Sequence, residues 1–135
     1  MKVKLGTEEV RIVSVFVRIT GVQPRDCLIT EMTTFFVLDP RSMMLAIGRS
    51  GETIKRLRKA LGKNVKLFAK HETAEETIKH MVPTAKALKI NDDVAVITIP
   101  LEDKSKVIGR NGNNIKAMKE ILKRHFALRD LKIRV

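Results

Sequence analysis

The 135-residue chain has little of several residue types, and each shortage excludes a class of protein. Cys27 is the single cysteine, so neither an intrachain disulfide nor a cysteine-rich structural zinc site is expected. Trp and Tyr are absent, and Phe35 and Phe36 are expected in a central strand, so the base-stacking surfaces of RRM and OB-fold proteins are not expected. No apolar run approaches the roughly 20 residues of a membrane-spanning helix, and the N-terminus does not resemble a signal peptide. We therefore expect a cytoplasmic protein with no membrane partner.

Acidic residues are scarce in two segments, and the positive charge is concentrated there. The chain has 27 Lys and Arg against 15 Asp and Glu, for a net charge of +12. Residues 41–70 have nine basic residues and one acidic residue, and residues 102–135 have ten and four. Residues 1–40 are balanced, and residues 71–101 have three basic residues and five acidic ones. This distribution favours a polyanionic partner, above all nucleic acid.

The two basic segments contain copies of one motif. Ala46–Lys55 reads AIGRSGETIK and recurs 61 positions later, at Val107–Lys116, as VIGRNGNNIK. The same offset aligns Leu57 with Met118 and Leu61 with Leu122, so the apolar positions after the motif share one helical face in both copies. The chain therefore contains an internal duplication.

Residue patterns predict the same order of elements, αββααβ, in each copy. The first helix of the first copy, Thr7–Thr20, begins with acidic residues and ends before Gly21, whereas its counterpart begins at a capping box, Thr73–Glu76, and ends before Pro83. The predicted strands are Cys27–Glu31, Thr33–Leu38, Val65–Phe68, Ala87–Ile90, Val94–Pro100 and Leu131–Val135. The remaining predicted helices are Ser42–Ile47, Gly51–Leu61, Lys104–Ile108 and Gly112–Phe126. The second copy has extra residues before its last strand, and we expect such an insertion in a loop.

A Gly-x-x-Gly loop joins two predicted helices in each copy, at residues 48–51 and 109–112. A lone tetrapeptide of this form is common by chance. Here each loop precedes a helix N-terminus, where free N–H groups and the helix dipole favour a phosphate, and each contains an arginine, Arg49 or Arg110. The glycines allow a sugar-phosphate backbone to approach closely. The duplicated loop therefore predicts two sites for nucleic acid.

This combination resembles the KH fold, whose Gly-x-x-Gly loop clamps the backbone of about four nucleotides. The order αββααβ is that of type II KH domains. The resemblance implies an α+β protein of two tandem type II KH domains, residues 1–70 and 71–135. Each would have a three-stranded sheet with helices packed on one face.

The segments Ala46–Gly51, Asn114–Lys116 and Lys123–Phe126 look like those of archaeal NusA-type transcription factors. That resemblance implies binding of nascent single-stranded RNA near RNA polymerase, with a role in transcription termination or pausing.

The expected RNA-contacting residues lie in the two loops and in the helix after each loop. They are Gly48, Arg49, Ser50, Gly51, Ile54, Lys55 and Arg58 in the first copy, and Gly109, Arg110, Asn111, Gly112, Ile115, Lys116 and Lys119 in the second. By resemblance, Ile47, Ile54, Ile108 and Ile115 would line an apolar groove for bases. Ile54 and Ile115 also have the spacing of core residues. Glu120 occupies the position of Lys59, so we expect the first copy to bind more strongly.

Two other functions remain open. The chain could be an adaptor that docks on RNA polymerase or on a ribosomal or RNA-processing particle and binds RNA only incidentally. An enzyme is not expected, because no phosphate-binding P-loop, metal cluster or nucleophile–base pair is recognisable. His71, His80 and His125 do not have the spacing of metal ligands. We expect no cofactor and no metal.

Overall fold

The computed structural model of the chain describes residues 6–135. It consists of two compact units, one ending at Lys70 and the other beginning at His71. The elements of the first unit are α1 (Thr7–Thr20), β1 (Asp26–Ile29), β2 (Thr33–Leu38), α2 (Met43–Ile47), α3 (Glu52–Leu61) and β3 (Asn64–Ala69). Those of the second are α4 (Ala74–Met81), β4 (Ala87–Asn91), β5 (Val94–Thr98), α5 (Lys104–Ile108), α6 (Asn113–Phe126) and β6 (Asp130–Arg134). The predicted order αββααβ is confirmed in both.

Each unit has a mixed three-stranded sheet with the hairpin on one side and the last strand on the other. The strand orders are β1-β2-β3 and β4-β5-β6. In each sheet the hairpin strands are antiparallel, and the last strand runs parallel to the central strand. The predicted α+β fold of tandem type II KH domains is therefore confirmed. In this arrangement one edge of the last strand, β3 or β6, pairs with no other strand among residues 6–135.

The core of the first unit forms where α1 and α3 pack on the sheet. Ile12 and Phe16 of α1 and Leu57 of α3 are buried against Phe36 of the central strand. The rings of Phe16 and Phe36 stack with centroids 4.1 Å apart. Cys27 is buried in the same cluster, as expected for a small apolar residue. This packing holds α3, and with it the preceding loop, against the sheet.

Several predicted boundaries were wrong by a few residues. β1 ends at Ile29 because Thr30 already belongs to the turn, where its hydroxyl donates to the carbonyl of Thr33 and accepts from the Thr33 N–H. β5 ends at Thr98, two residues before Pro100, which has no N–H to donate. β3 and β6 each begin one residue earlier than predicted, and α2, α3 and α6 each begin one residue later.

Four of the five extra residues of the second copy lie in a helix and one lies in the connection to the last strand, so the expected loop insertion was wrong for most of them. α6 has 14 residues and α3 has 10. Gly62, in the left-handed conformation, follows the last residue of α3, and Ala127, with φ of 55°, follows that of α6 in the same way. Since an α-helix has 3.6 residues per turn, the insertion lengthens α6 by about one turn. Both helices still lead directly into the last strand.

The first helix of the second unit begins and ends where the sequence indicates. The Thr73 hydroxyl accepts a hydrogen bond from the Glu76 N–H at 3.1 Å, and the helix ends at Met81, before Pro83. Ile78 is buried. Within residues 6–135, none of the helices combines the length and the apolar character that crossing a membrane requires.

Asp39 gives the first unit a testable pH dependence. Its Oδ1 accepts from the backbone N–H and Nε of Arg41, and its Oδ2 accepts from Nη2 of Arg25. These hydrogen bonds, those from Arg41 first, hold the pKa of Asp39 well below its ordinary value. The stabilisation is therefore present above the unfolded-state pKa of about 3.9 and is lost as the pH falls.

We expect urea unfolding to show that the wild type loses more stability than Asp39→Asn between about pH 5 and pH 2. The difference should be modest because both arginines are exposed. Equal losses in the two proteins would contradict this assignment.

Candidate nucleic-acid interface

The two Gly-x-x-Gly loops have the same backbone conformation. Gly48 has φ 79° and ψ 170°, and Gly109 has φ 79° and ψ 169°. The third loop residue, Ser50 or Asn111, has φ of 55° in both loops. The same two-glycine spacing therefore accompanies the same positive φ angles in each copy.

The first glycine of each loop is required for two reasons. Its backbone conformation is one that only glycine adopts readily. In addition, a Cβ on Gly48 would lie 2.8 Å from the backbone nitrogen of Thr53, and a Cβ on Gly109 would lie 2.9 Å from that of Asn114. The fourth loop residue, Gly51 or Gly112, has φ near 73°, but a Cβ there would make only ordinary contacts with side chains, at 3.6 Å or more. The first glycine therefore brings the loop into contact with the following helix, whereas the second only turns the chain.

The loop leaves two successive backbone donors free. The Gly51 N–H donates to the carbonyl of Gly48 at 3.1 Å, and the Glu52 N–H donates to that of Arg49. The donors expected at the helix N-terminus are thus partly used within the loop. In residues 6–135 the N–H groups of Arg49 and Ser50 have no partner, and the second loop repeats this pattern. Successive free N–H groups in a turn form a concavity suited to an anion.

The predicted basic residues divide into two groups by their contacts. Arg49, Lys55, Arg110 and Lys116 are exposed and form no ion pair with any residue from 6 to 135. Their charges are therefore available to phosphates. Arg58 and Lys119 are different, because each is bound to the last strand of its unit.

Arg58 and Lys119 occupy matching positions but bind different acceptors. Nη2 of Arg58 donates to the carbonyl of Val65 at 3.2 Å. Nζ of Lys119 lies 3.2 Å from Oδ1 of Asp130, which also accepts from the Leu131 N–H at 2.8 Å. The hydrogen bond from Leu131 and that from Lys119 lower the pKa of Asp130, so its carboxylate is ionised at neutral pH.

An open groove of about 460 Å³ lies between α5, α6 and β6 of the second unit. Its apolar lining comes from Ile108, Ile115, Leu131 and Ile133. Ile115, predicted to serve either core or groove, is half-buried and lines the groove. Ile54 of the first unit is also half-buried and packs against the core cluster. That bases occupy these positions stays a prediction.

The helices that follow the two loops differ in their acidic residues, and sequence reasoning considered only Glu120. Glu52 lies in the first turn of α3, whereas the first turn of α6 has no acidic residue. Glu120, expected to weaken the second site, lies 3.9 Å from Arg124. The stronger binding expected of the first copy stays a prediction. The negative charge of Glu52 opposes it, because it repels a phosphate at the first loop.

Sequence reasoning missed a histidine pair at the start of the second unit. The rings of His71 and His80 stack with centroids 3.9 Å apart. The Thr77 hydroxyl accepts from the His71 N–H, and the Glu76 carboxylate lies 3.9 Å from Nδ1 of His71. No pattern in the sequence indicated this contact, because the chain must turn into α4 to bring the rings together. The described part of the chain has no cluster of three potential metal ligands.

Comparison with known proteins agrees with this geometry. The KH domain family model matches residues 9–79. A probable transcription termination protein NusA from Halobacterium salinarum is 30% identical over 98% of this chain and 99% of its own length. The chain belongs to the archaeal NusA family of KH-domain proteins.

Other archaeal NusA relatives and a solved structure extend the match. The probable transcription termination protein NusA of Methanocaldococcus jannaschii is 27% identical over 98% of this chain and 75% of its own length. The crystal structure of a protein designated APE1850 matches with a TM-score of 0.76 and 32% identity, over 96% of this chain and all of that one. KH domains are RNA-binding modules, and this NusA-like family is one without catalytic activity.

Proposed function

We propose that the chain binds single-stranded RNA through both Gly-x-x-Gly loops and acts on nascent RNA in transcription termination or pausing. The observation that carries the proposal is the duplicated loop, with one backbone conformation, two free N–H donors and one unpaired arginine in each copy. In this proposal residues 1–70 and 71–135 act as two KH domains. RNA held by both domains gains affinity through effective concentration.

Each part of the loop has a role in the proposed contact. The N–H groups of Arg49 and Ser50 donate to a phosphate oxygen, and the guanidinium of Arg49 adds a charge-assisted hydrogen bond. Arg110 and Asn111 do the same in the second domain. Lys55 and Lys116, exposed one turn into the next helix, bind the neighbouring phosphate. The unstacked bases then lie in the apolar groove beside the loop.

The transcriptional part of the proposal rests on the relatives. Those with nearly complete coverage of this chain are named probable transcription termination proteins. RNA polymerase is accordingly the proposed protein partner, and the cytoplasm is the proposed location. Crosslinking the protein to RNA in cells and sequencing the bound fragments tests this part: fragments concentrated at transcript ends are expected, and fragments confined to mature ribosomal RNA would contradict it.

Salt dependence provides a direct test of the phosphate contacts. We expect the logarithm of the RNA-binding constant to fall linearly with the logarithm of salt concentration, with a slope of about −0.7 for each phosphate neutralised. Fluorescence anisotropy with a labelled single-stranded RNA measures this slope. Arg49→Gln should make the slope shallower by about 0.7. An affinity independent of salt would contradict binding through the loops.

One observation favours the adaptor as a second candidate function. Met44 and Leu45 on α2 are 82% and 60% exposed, and the matching positions of the second unit are Ser105 and Lys106. Exposed apolar side chains of this size are typical of protein contacts. Capture of RNA polymerase by the tagged protein after nuclease treatment, and its loss in the Met44→Ser, Leu45→Lys double variant, would favour the adaptor.

A further inference from the structure

The sheet of the second unit has one face covered by helices and one face that is open. Ala95, Ile97 and Leu131 are buried on the covered face. Because side chains alternate along a strand, the residues between them point to the opposite, open face. Each residue in two cross-strand rows of this open face is exposed or half-buried. The rows are Lys89–Val96–Lys132 and Ala87–Thr98–Arg134.

The two rows place three basic side chains on the open face. Lys89, Lys132 and Arg134 are exposed, and their side chains form no hydrogen bond or ion pair within residues 6–135. Lys89 and Lys132 lie on either side of β5, so their Cα atoms are about 10 Å apart. The acidic residue of the next row, Asp130, is bound to Nζ of Lys119. The open face is therefore positively charged.

The matched face of the first sheet is apolar instead. Its corresponding rows are Leu28–Phe35–Lys66 and Asp26–Val37–Phe68. Phe35, Val37 and Phe68 are buried, and the rings of Phe35 and Phe68 stack with centroids 5.8 Å apart. Arg134 thus occupies the position of a buried phenylalanine. The duplicated fold does not require a basic open face, which is a property of the second unit.

The open face adjoins the groove of the second unit. Lys132 and Arg134 border the groove of about 460 Å³ as well as lying in the two rows. The outer edge of β6 pairs with no other strand among residues 6–135, so no strand separates the groove from the open face. RNA that leaves the groove across β6 would meet Lys132 and Arg134 first, and Lys89 two strands further on.

The side chains of the open face suit the RNA backbone better than its bases or an apolar protein. Neither row contains an aromatic residue on which a base could stack. Lysine and arginine form charge-assisted hydrogen bonds with phosphate oxygens. Val96 is half-buried and Thr98 is polar, so the rows do not form the large exposed apolar patch of a typical protein contact.

We propose that the open face of the second sheet binds the phosphates of nucleotides that flank those held in the groove, through Lys89, Lys132 and Arg134. The inference rests on the proposed RNA-binding function and extends it, because the second domain would contact a longer stretch of RNA than the first. Binding at this face would not depend on RNA sequence, since phosphate contacts carry no direct sequence information.

RNA length separates the open face from the groove. The full chain is used with Arg49→Asp, which disables the first loop. An RNA of about four nucleotides fills a KH groove, and one of about twelve extends beyond it. The variant Lys89→Gln, Lys132→Gln, Arg134→Gln should bind the longer RNA about tenfold more weakly, with a salt slope shallower by about 0.7 for each lost phosphate contact. Its loss for the shorter RNA should stay below about threefold.

Lys89→Gln is the sharpest single variant, because Lys89 does not line the groove. Lys79→Gln is its matched control, since Lys79 is an exposed lysine on α4. Lys89→Gln should bind the longer RNA about two- to threefold more weakly, with a salt slope shallower by about 0.7, and Lys79→Gln should bind it as before. The replaced side chains are exposed, so urea unfolding should show unchanged stability.

The outcomes separate the inference from the proposed function. Equal losses in Lys89→Gln and Lys79→Gln, or equal losses of the triple variant on both RNA lengths, would overturn the inference while RNA binding by the loops stands. Unchanged binding of the longer RNA by the triple variant, together with weaker binding of poly-glutamate, would also overturn it and would assign the open face to an acidic protein. Failure of the wild type to bind either RNA at any salt concentration would overturn the proposed function itself.

Discussion

Gly48→Ala is expected to destabilise the first unit by about 3 kcal/mol, and Gly109→Ala to do the same to the second. An alanine must adopt φ of 79° and ψ of 170°, a conformation that is nearly restricted to glycine. Its Cβ would also lie 2.8 Å from the backbone nitrogen of Thr53, so α3 must move away from the loop. Since the loop and α3 together form the proposed phosphate site, RNA binding by that unit should be lost as well.

Gly51→Ala and Gly112→Ala are the matched controls. A Cβ at Gly51 meets only a methyl group of Ile54 at 4.0 Å, so the cost is that of the left-handed conformation, about 1 kcal/mol. Urea unfolding followed by circular dichroism measures both series. Equal destabilisation by Gly48→Ala and Gly51→Ala would show that the contact with Thr53 is unimportant.

The double variant Arg49→Asp, Arg110→Asp is expected to weaken binding of single-stranded RNA by roughly 100-fold or more. Each arginine is exposed and unpaired in the described part of the chain, so its hydrogen bond to a phosphate is lost and replaced by repulsion. A hydrogen bond to a charged group contributes about 1.5–3 kcal/mol, and two such losses account for the effect. The free energy of unfolding should change by less than about 0.5 kcal/mol, because neither arginine side chain contributes to the core.

A control with the same change in net charge distinguishes the loops from the overall electrostatic field. Lys79→Asp with Lys86→Asp alters two exposed lysines outside the basic segments. This protein should lose much less affinity than the loop variant at the same salt concentration. Equal losses of RNA affinity in the two double variants would mean that binding depends only on the net charge. That result would contradict the assignment of the loops as the binding site.

Local sequence features predicted most of the fold for a simple physical reason. The glycines at 48, 51, 109 and 112 all have positive φ, a conformation that other residues adopt at a cost. Thr73 and Gly21 mark helix ends through capping contacts that involve only nearby residues. The boundary errors, such as β1 ending at Ile29, arose where a turn formed by Thr30 replaced strand pairing.

Contacts between elements were less accessible to sequence reasoning. Arg58 and Lys119 were assigned to RNA as members of basic runs, yet each is bound to the last strand of its unit. The stack of His71 on His80 had no signal in the sequence. In each case the partner lies on another turn or element, and its position depends on how helices and strands pack.

By itself, the sequence determined the duplication, the αββααβ order and the placement of two Gly-x-x-Gly loops in basic segments, because residue type and spacing dictate backbone conformation locally. Only the tertiary structure decided which polar groups remain free beside those loops. It placed Arg58 on the carbonyl of Val65 and Lys119 on the carboxylate of Asp130, so these two basic side chains are already bound within their own units. Hydrogen-bond partners depend on distances between elements, which neither composition nor periodicity specifies.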